Sequence, residues 1–282
     1  MIFDVIKDTL LDGIKLLPFL FLAYLIIEII EDRSEEKAVA LVRKAGKLGP
    51  LLGASLGVIP QCGFSAAMSN LYSTGIITRG TLLAVFLSTS DEMLPILISE
   101  KVEAGLILKV LLFKLIAGAI IGIIVDATAS KLGYKSKKNI HDMCEREGCR
   151  CEEGVLKSAV FHTLKIFAFL IAVTFLLNLA VEILGPEKLG GFILNKPVFG
   201  ELLAGIVGLI PNCAASVVLT ELYLQGSMSI GAMLSGLLVG SGVGMLVLFR
   251  MNRAIKDNVF TLIILYVSGV IFGLIAEVLP IF

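Results

Sequence analysis

Only two histidines stand in 282 residues. Neither belongs to an H-E-x-x-H pair or meets a serine at membrane depth, so the usual chemistry of an intramembrane enzyme is missing. No glycine-rich P-loop occurs either. Any pumping by this chain is therefore driven by ions or by a separate ATPase. Lys and Arg together number 24 and Asp and Glu 24, so net charge points to no partner, nucleic acid included. No succession of ten-residue segments alternates apolar and polar residues, which excludes a transmembrane barrel. The opening, MIFDVIKDTLLDG, lacks the positive n-region and small-residue cleavage site of a signal peptide. The whole chain is expected to be mature protein.

What is present is grease. The chain is 57% hydrophobic with a mean hydropathy of +0.94, more apolar surface than a soluble domain of this length can bury. Apolar stretches recur at roughly 14–30, 80–98, 104–125, 164–181, 229–249 and 259–281. Each has the ~20 residues that cross about 30 Å of hydrocarbon as one helix. The expected class is an all-α polytopic membrane protein.

Basic residues gather in 33–47, 131–157 and 250–256. The positive-inside bias puts these three regions in the cytoplasm and both termini outside.

The chain also repeats itself. At a constant offset of 151, LLGASLGVIPQCGFSAAMSNLYSTG lies on LLAGIVGLIPNCAASVVLTELYLQG without a gap. Gly57, Pro60, Cys62, Ser65, Tyr72, Gly75, Gly80 and Ser90 meet Gly208, Pro211, Cys213, Ser216, Tyr223, Gly226, Gly231 and Ser241. The register continues through Gly118, Gly122 and Asp126 onto Gly269, Gly273 and Glu277. Residues 1–126 and 157–282 are thus read as two membrane repeats joined by a connector, 127–156. About 12 apolar residues flank Pro60 on each side, so each arm reaches only ~18–20 Å. Either one helix breaks at its middle, or a re-entrant hairpin carries Pro60-Gln61-Cys62-Gly63 at its tip. A single broken crossing would send the basic 131–157 loop outside. A hairpin, or two thin crossings, keeps all three basic regions inside and inverts the second repeat relative to the first, the pattern of secondary transporters. Irregular backbone at membrane depth is tolerated only against protein or a wet cavity. Gln61, Cys62, Ser65, Asn212, Cys213 and Ser216 are accordingly candidate substrate ligands.

Charge inside the membrane adds to that set. In GTLLAVFLSTSDEMLPILI, Asp91 and Glu92 follow Ser88-Thr89-Ser90 inside an apolar run. Buried carboxylates usually mark an ion or proton path. The second repeat has Ser241 between Gly240 and Gly242 but no acid there. Lys114 lies at comparable depth in the next helix, where its counterpart is Leu265. Acid and base are both missing from the other half, which suggests that they pair. Asp91, Glu92 and Lys114 are the expected coupling residues, with Ser88, Ser90 and Ser241 beside them. Gly53-x3-Gly57, Gly118-x3-Gly122 and Gly236-x3-Gly240 read as helix-packing contacts. The connector segment HDMCEREGCRC supplies His141, Cys144, Cys149 and Cys151. One imidazole and three thiols within 11 residues of a reducing compartment suit a transition metal. No other cofactor is expected.

In IPQCGFSAAMSNLY, LLAVFLSTSDEMLPILI, the His/Cys connector followed by HTLKIF, and IPNCAASVVLTELY, the chain resembles the ten-transmembrane heavy-metal exporters. Members of that family go by the names arsenic efflux protein and manganese transporter. The resemblance covers nearly the whole chain and implies a cell-membrane transporter, not an enzyme, working in the bilayer on an ion; a homodimer is the oligomer considered. In that family a His often stands between the last two connector cysteines; Arg150 takes its place here, leaving one ligand fewer. Carboxylate and carbonyl oxygen suit Mn2+, whereas thiolate suits softer ions. The first expectation is a divalent-cation exporter, such as one for manganese, coupled to protons at Asp91 and Glu92. The alternatives are arsenic efflux through Cys62 and Cys213, and a small-anion permease using the positive helix ends at the hairpin tips.

Overall fold

The structure is a computed structural model describing residues 48–59, 62–90, 93–131 and 198–279, with isolated helical positions within 14–25 and 156–175. The described residues contain helices and no strand. The first set is α1 (Gly49–Gly57), α2 (Cys62–Ser73), α3 (Arg79–Ser88), α4 (Met93–Ser99) and α5 (Ala104–Lys131). The second is α6 (Phe199–Gly208), α7 (Cys213–Leu224), α8 (Ile230–Val239), α9 (Gly244–Met251) and α10 (Ile255–Val278). Among the described residues, four stretches are long and apolar enough to cross a membrane: Arg79–Ser99, Ala104–Lys131, Ile230–Met251 and Ile255–Val278. The protein is an all-α polytopic membrane protein.

Local chemistry recurs between the two sets. Thr78 and Ser229, 151 residues apart, are both extended N-caps whose hydroxyls accept from Thr81 N and Ala232 N. Gly75 and Gly226 both adopt positive φ, +82° and +73°, in the turns before those caps. Asp126 and Glu277 each accept from a backbone N–H of the first helical turn, Gly80 N and Gly231 N, at 2.9 Å.

Printed contacts fix the directions of the helices. Gly49 lies against Thr81 and Gly57 against Ser88, so α1 and α3 run the same way. The turn 74–78 joins the end of α2 to the start of α3, so α2 must return to the level where α1 began. The pair α1–α2 is an antiparallel helical hairpin. Gly205 against Ser235 and Gly208 against Gly236 make α6 parallel to α8, and α7 returns likewise. In α5, Gly122 meets Gly80 and Gly118 meets Ala84, so α5 is antiparallel to α3; Gly273 and Gly269 of α10 meet Gly231 and Val239 of α8 in the same sense. At Gly118, Gly122 and Gly208 a Cβ would strike backbone first, the carbonyls of Ala84, Gly80 and Gly236, which is why glycine is required there. Arg79, opening α3, pairs with Asp257 near the start of α10, so α3 and α8 run in opposite directions. Hairpins also cross over: α2 packs on α9, and α7 on α4.

The windows containing α3–α4 and α8–α9 are 75% and 83% buried, against 33% and 39% for α5 and α10. The first two form the centre, around Leu82, Leu83, Phe86, Leu87 and Leu238. The others face outward with Leu108, Ile116, Ile123, Ile263 and Ile271 exposed, as lipid requires.

One expectation is corrected. Stretches 80–98 and 229–249 are not single helices, for both are interrupted. Ser88 and Thr89 hydroxyls both donate to Val85 O, and Ser90 Oγ donates to Ser88 O. Such side chains compete for the carbonyls that would continue the helix, and Thr89 turns out of it at ψ 129°. In the second set Gly240 leaves the helix at ψ 97° and Gly242 has φ +53°.

Candidate functional site

Both interruptions open on one small cavity, with room for about one water. Thr89, Ser90 and Met93 line it from the first break, and Gly240 and Gly242 from the second. Asn212 and Ser216 enter from the tip and return arm of the second hairpin, and Lys114 from α5. Helices α4, α7 and α9 begin here while α3, α6 and α8 end here, so partial charges of both signs meet.

Lys114 is 1% exposed. Its Nζ donates to Thr89 O and, at 2.9 Å, to Leu237 O. The ammonium therefore satisfies carbonyls at the ends of α3 and α8, across the two sets of helices. A buried cation held this way ties the two broken helices together at their C-terminal ends.

Of the residues singled out from sequence, Ser90, Lys114, Asn212 and Ser216 come together at this cavity. Ser65 is buried and lies instead against Gly244 at the start of α9, where Ser69 Oγ donates to Gly244 O at 2.8 Å. Ser88 is buried against Gly57. Ser241 is buried, its carbonyl accepting from Gly244 N. Cys62 and Cys213 open α2 and α7. Gln61, Asp91, Glu92, His141, Cys144, Cys149 and Cys151 lie outside the described residues. Among the described residues no three of His, Cys, Asp and Glu gather as metal ligands.

Two features escaped the reading of the sequence. One is a polar junction between the α2–α3 turn and the α9–α10 turn. Asp257 pairs with Arg79 and accepts from Tyr72 Oη (2.7 Å) and Asn252 Nδ2 (2.8 Å). Asn252 and Asn258 bond to each other, and Arg79 also stacks over Phe260 at 5.1 Å. The repeat alignment hid it, because Arg79 and Asp257 correspond to Ile230 and Leu106. The other is Glu201 in the first turn of α6, fully buried, with neither carboxylate oxygen bonded. Its counterpart is Pro50. An acid inside the apolar run 198–210 was the signal available.

A family model described as "Putative, 10TM heavy-metal exporter" matches residues 1–184. No curated protein and no solved structure matches the chain.

Proposed function

Since the chain belongs to the ten-transmembrane heavy-metal exporter family, we propose that it is a proton-coupled secondary transporter exporting a divalent heavy-metal cation such as manganese. One observation carries the reading: the tip of a helical hairpin from one set of helices meets an interrupted helix from the other at a cavity beside a fully buried Lys114. Interrupted segments in corresponding positions of oppositely directed halves are how secondary transporters build a midplane site. Asp91 and Glu92 fall in sequence between Ser90 and Met93, both of which line the cavity. In this reading their carboxylates bind the cation on one stroke and protons on the other. Ser90, Asn212 and Ser216 supply neutral oxygen ligands.

The membrane arrangement proposed with it has residues 1–126 and 157–282 as inverted repeats. The basic regions and the connector 127–156 lie in the cytoplasm, and both termini outside. His141, Cys144, Cys149 and Cys151 form a transition-metal site on that connector. Deleting 141–151 should remove bound metal from the purified protein, as measured by elemental analysis, and leave transport intact; loss of folded protein would make the loop structural instead.

A second reading is favoured by a specific feature. Three helix N-termini, those of α4, α7 and α9, open on the cavity next to an ammonium, a setting that suits an arsenic oxyacid or another small anion. Cys62 and Cys213 would add thiols for trivalent arsenic. Uptake into proteoliposomes of Mn2+, Zn2+, Co2+, arsenite and sulfate, with and without a pH gradient, separates the two. Divalent-cation uptake driven by the gradient supports the first reading, and gradient-independent arsenite or sulfate uptake alone replaces it with the second.

A further inference from the structure

We propose that Met93 sets the ion selectivity of the cavity: its thioether sulfur is a ligand that admits transition-metal cations and disfavours Mg2+ and Ca2+. The inference deepens the divalent-cation reading and rests on it for its role in transport.

The cavity has room for about one water. A cation held there has shed most of its hydration shell, so the atoms of the wall take the place of water and decide which ions stay. Thr89, Ser90, Asn212 and Ser216 line it with oxygen and nitrogen. Lys114 lines it too, but its Nζ acts as a donor to Thr89 O and Leu237 O and holds no metal ion. Oxygen alone is a poor filter, because it suits Mg2+ and Ca2+ as well as Mn2+. The carboxylates proposed at Asp91 and Glu92 push the same way.

One residue of the wall differs in kind. Among the described residues lining the cavity, Met93 alone carries sulfur. A thioether is a soft donor that transition metals accept, whereas Mg2+ and Ca2+ bind through oxygen. Sulfur in one ligand position therefore strengthens the hold on a transition metal and adds nothing for the two hard ions.

Packing by itself does not call for methionine here. Met93 has no exposed surface and opens α4 directly after Asp91 and Glu92. It packs with Leu97, Val110 and Leu219 in an apolar cluster, a role that leucine fills equally well. Its counterpart 151 residues later is Gly244, which opens α9, so the architecture works at this position with no side chain at all. At Gly244 the side chain of Ser65 comes so close that an added Cβ would meet its Oγ at 2.9 Å. Ser216, the counterpart of Ser65, lines the open cavity with Met93 instead. The sulfur thus stands in the half that holds the two acids and where the equivalent space is open.

Mn2+ uptake into proteoliposomes, with and without excess Ca2+ or Mg2+, tests the role in transport. Wild type should keep its Mn2+ uptake in the presence of either competitor. Met93→Leu, which conserves volume, should lose most of its uptake to the competitor. Met93→Cys leaves a packing defect but keeps a soft sulfur, and should retain the discrimination. A merely structural methionine predicts the reverse order. Discrimination kept by Met93→Leu, or lost equally in both variants, overturns the proposal. Met93→Ile serves if the Leu variant does not fold. A second measurement does not depend on transport. X-ray absorption spectra of Cd2+ bound to the full-length protein, with its five cysteines replaced by serine, should show a sulfur neighbour that Met93→Leu removes. A shell without sulfur, or no bound Cd2+, overturns the proposal. A wild type that carries no divalent cation removes the transport reading, yet the sulfur neighbour still decides whether Met93 is a ligand.

Discussion

Lys114 shows how a single residue can be seen in the sequence while part of its setting is not. Its position in an apolar helix, where its counterpart is Leu265, singles it out as a candidate functional residue. Sequence reasoning gave it an acid as partner. The structure adds backbone partners, Thr89 O and Leu237 O, which no sequence pattern announces because both lie at helix ends created by the interruptions. Lys114→Met fits the space by analogy with buried Leu265 but leaves those carbonyls short of a donor, at a cost of about 1–3 kcal/mol for each buried group left unsatisfied. Thermal unfolding in detergent should show the loss. Lys109→Met, at an exposed position of the same helix, should stay within about 0.5 kcal/mol of wild type. Equal stability of the two variants would mean that Lys114 does not tie the broken helices.

Among the elements, the hairpins were the legible part. Pro60 and Pro211, the short arms and the distribution of Lys and Arg together left the hairpin and thin-crossing readings open. The directions of α1 and α3, read from Gly49 against Thr81 and Gly57 against Ser88, set α1 and α2 antiparallel, as both of those readings require and a single broken crossing does not. The interruptions between α3 and α4 and between α8 and α9 were not legible as such. Apolar residues stand on both sides of each break, and hydroxyl competition for Val85 O is a local event that hydropathy does not register. The polar run there looked like a site inside a helix; it is also what ends the helix. The hairpin geometry can be checked with cysteines introduced at Ser73 and Ser227, beside the turns that end α2 and α7, after the five native cysteines are replaced by serine. A membrane-impermeant thiol reagent on whole cells should label the Ser227 position from outside, and should label the Ser73 position only after the cells are opened. Labelling of both from the same side would contradict oppositely directed hairpins.

For the whole molecule, the two sets of helices are held to each other by exchange. Helix α2 packs on α9 and α7 on α4, Lys114 reaches α8, and Arg79 reaches Asp257. Under the proposed transport reading, a cavity at such a junction changes shape whenever one set moves against the other, which is what alternating access needs. The repeat exposed the shared architecture but drew attention to identical positions. The halves differ in their charged residues: Asp91, Glu92 and Lys114 in one, Glu201 and Asp257 in the other. The central claim is that a cation and its counter-protons share the two acids between Ser90 and Met93. Neutralising them removes the charge that offsets dehydration of the cation. The most direct measurement is Mn2+ uptake into proteoliposomes under a pH gradient by Asp91→Asn and Glu92→Gln, with folding checked by gel filtration and circular dichroism. Folded variants with Mn2+ uptake abolished are the predicted result. Two folded variants that carry Mn2+ at the wild-type rate would contradict the account.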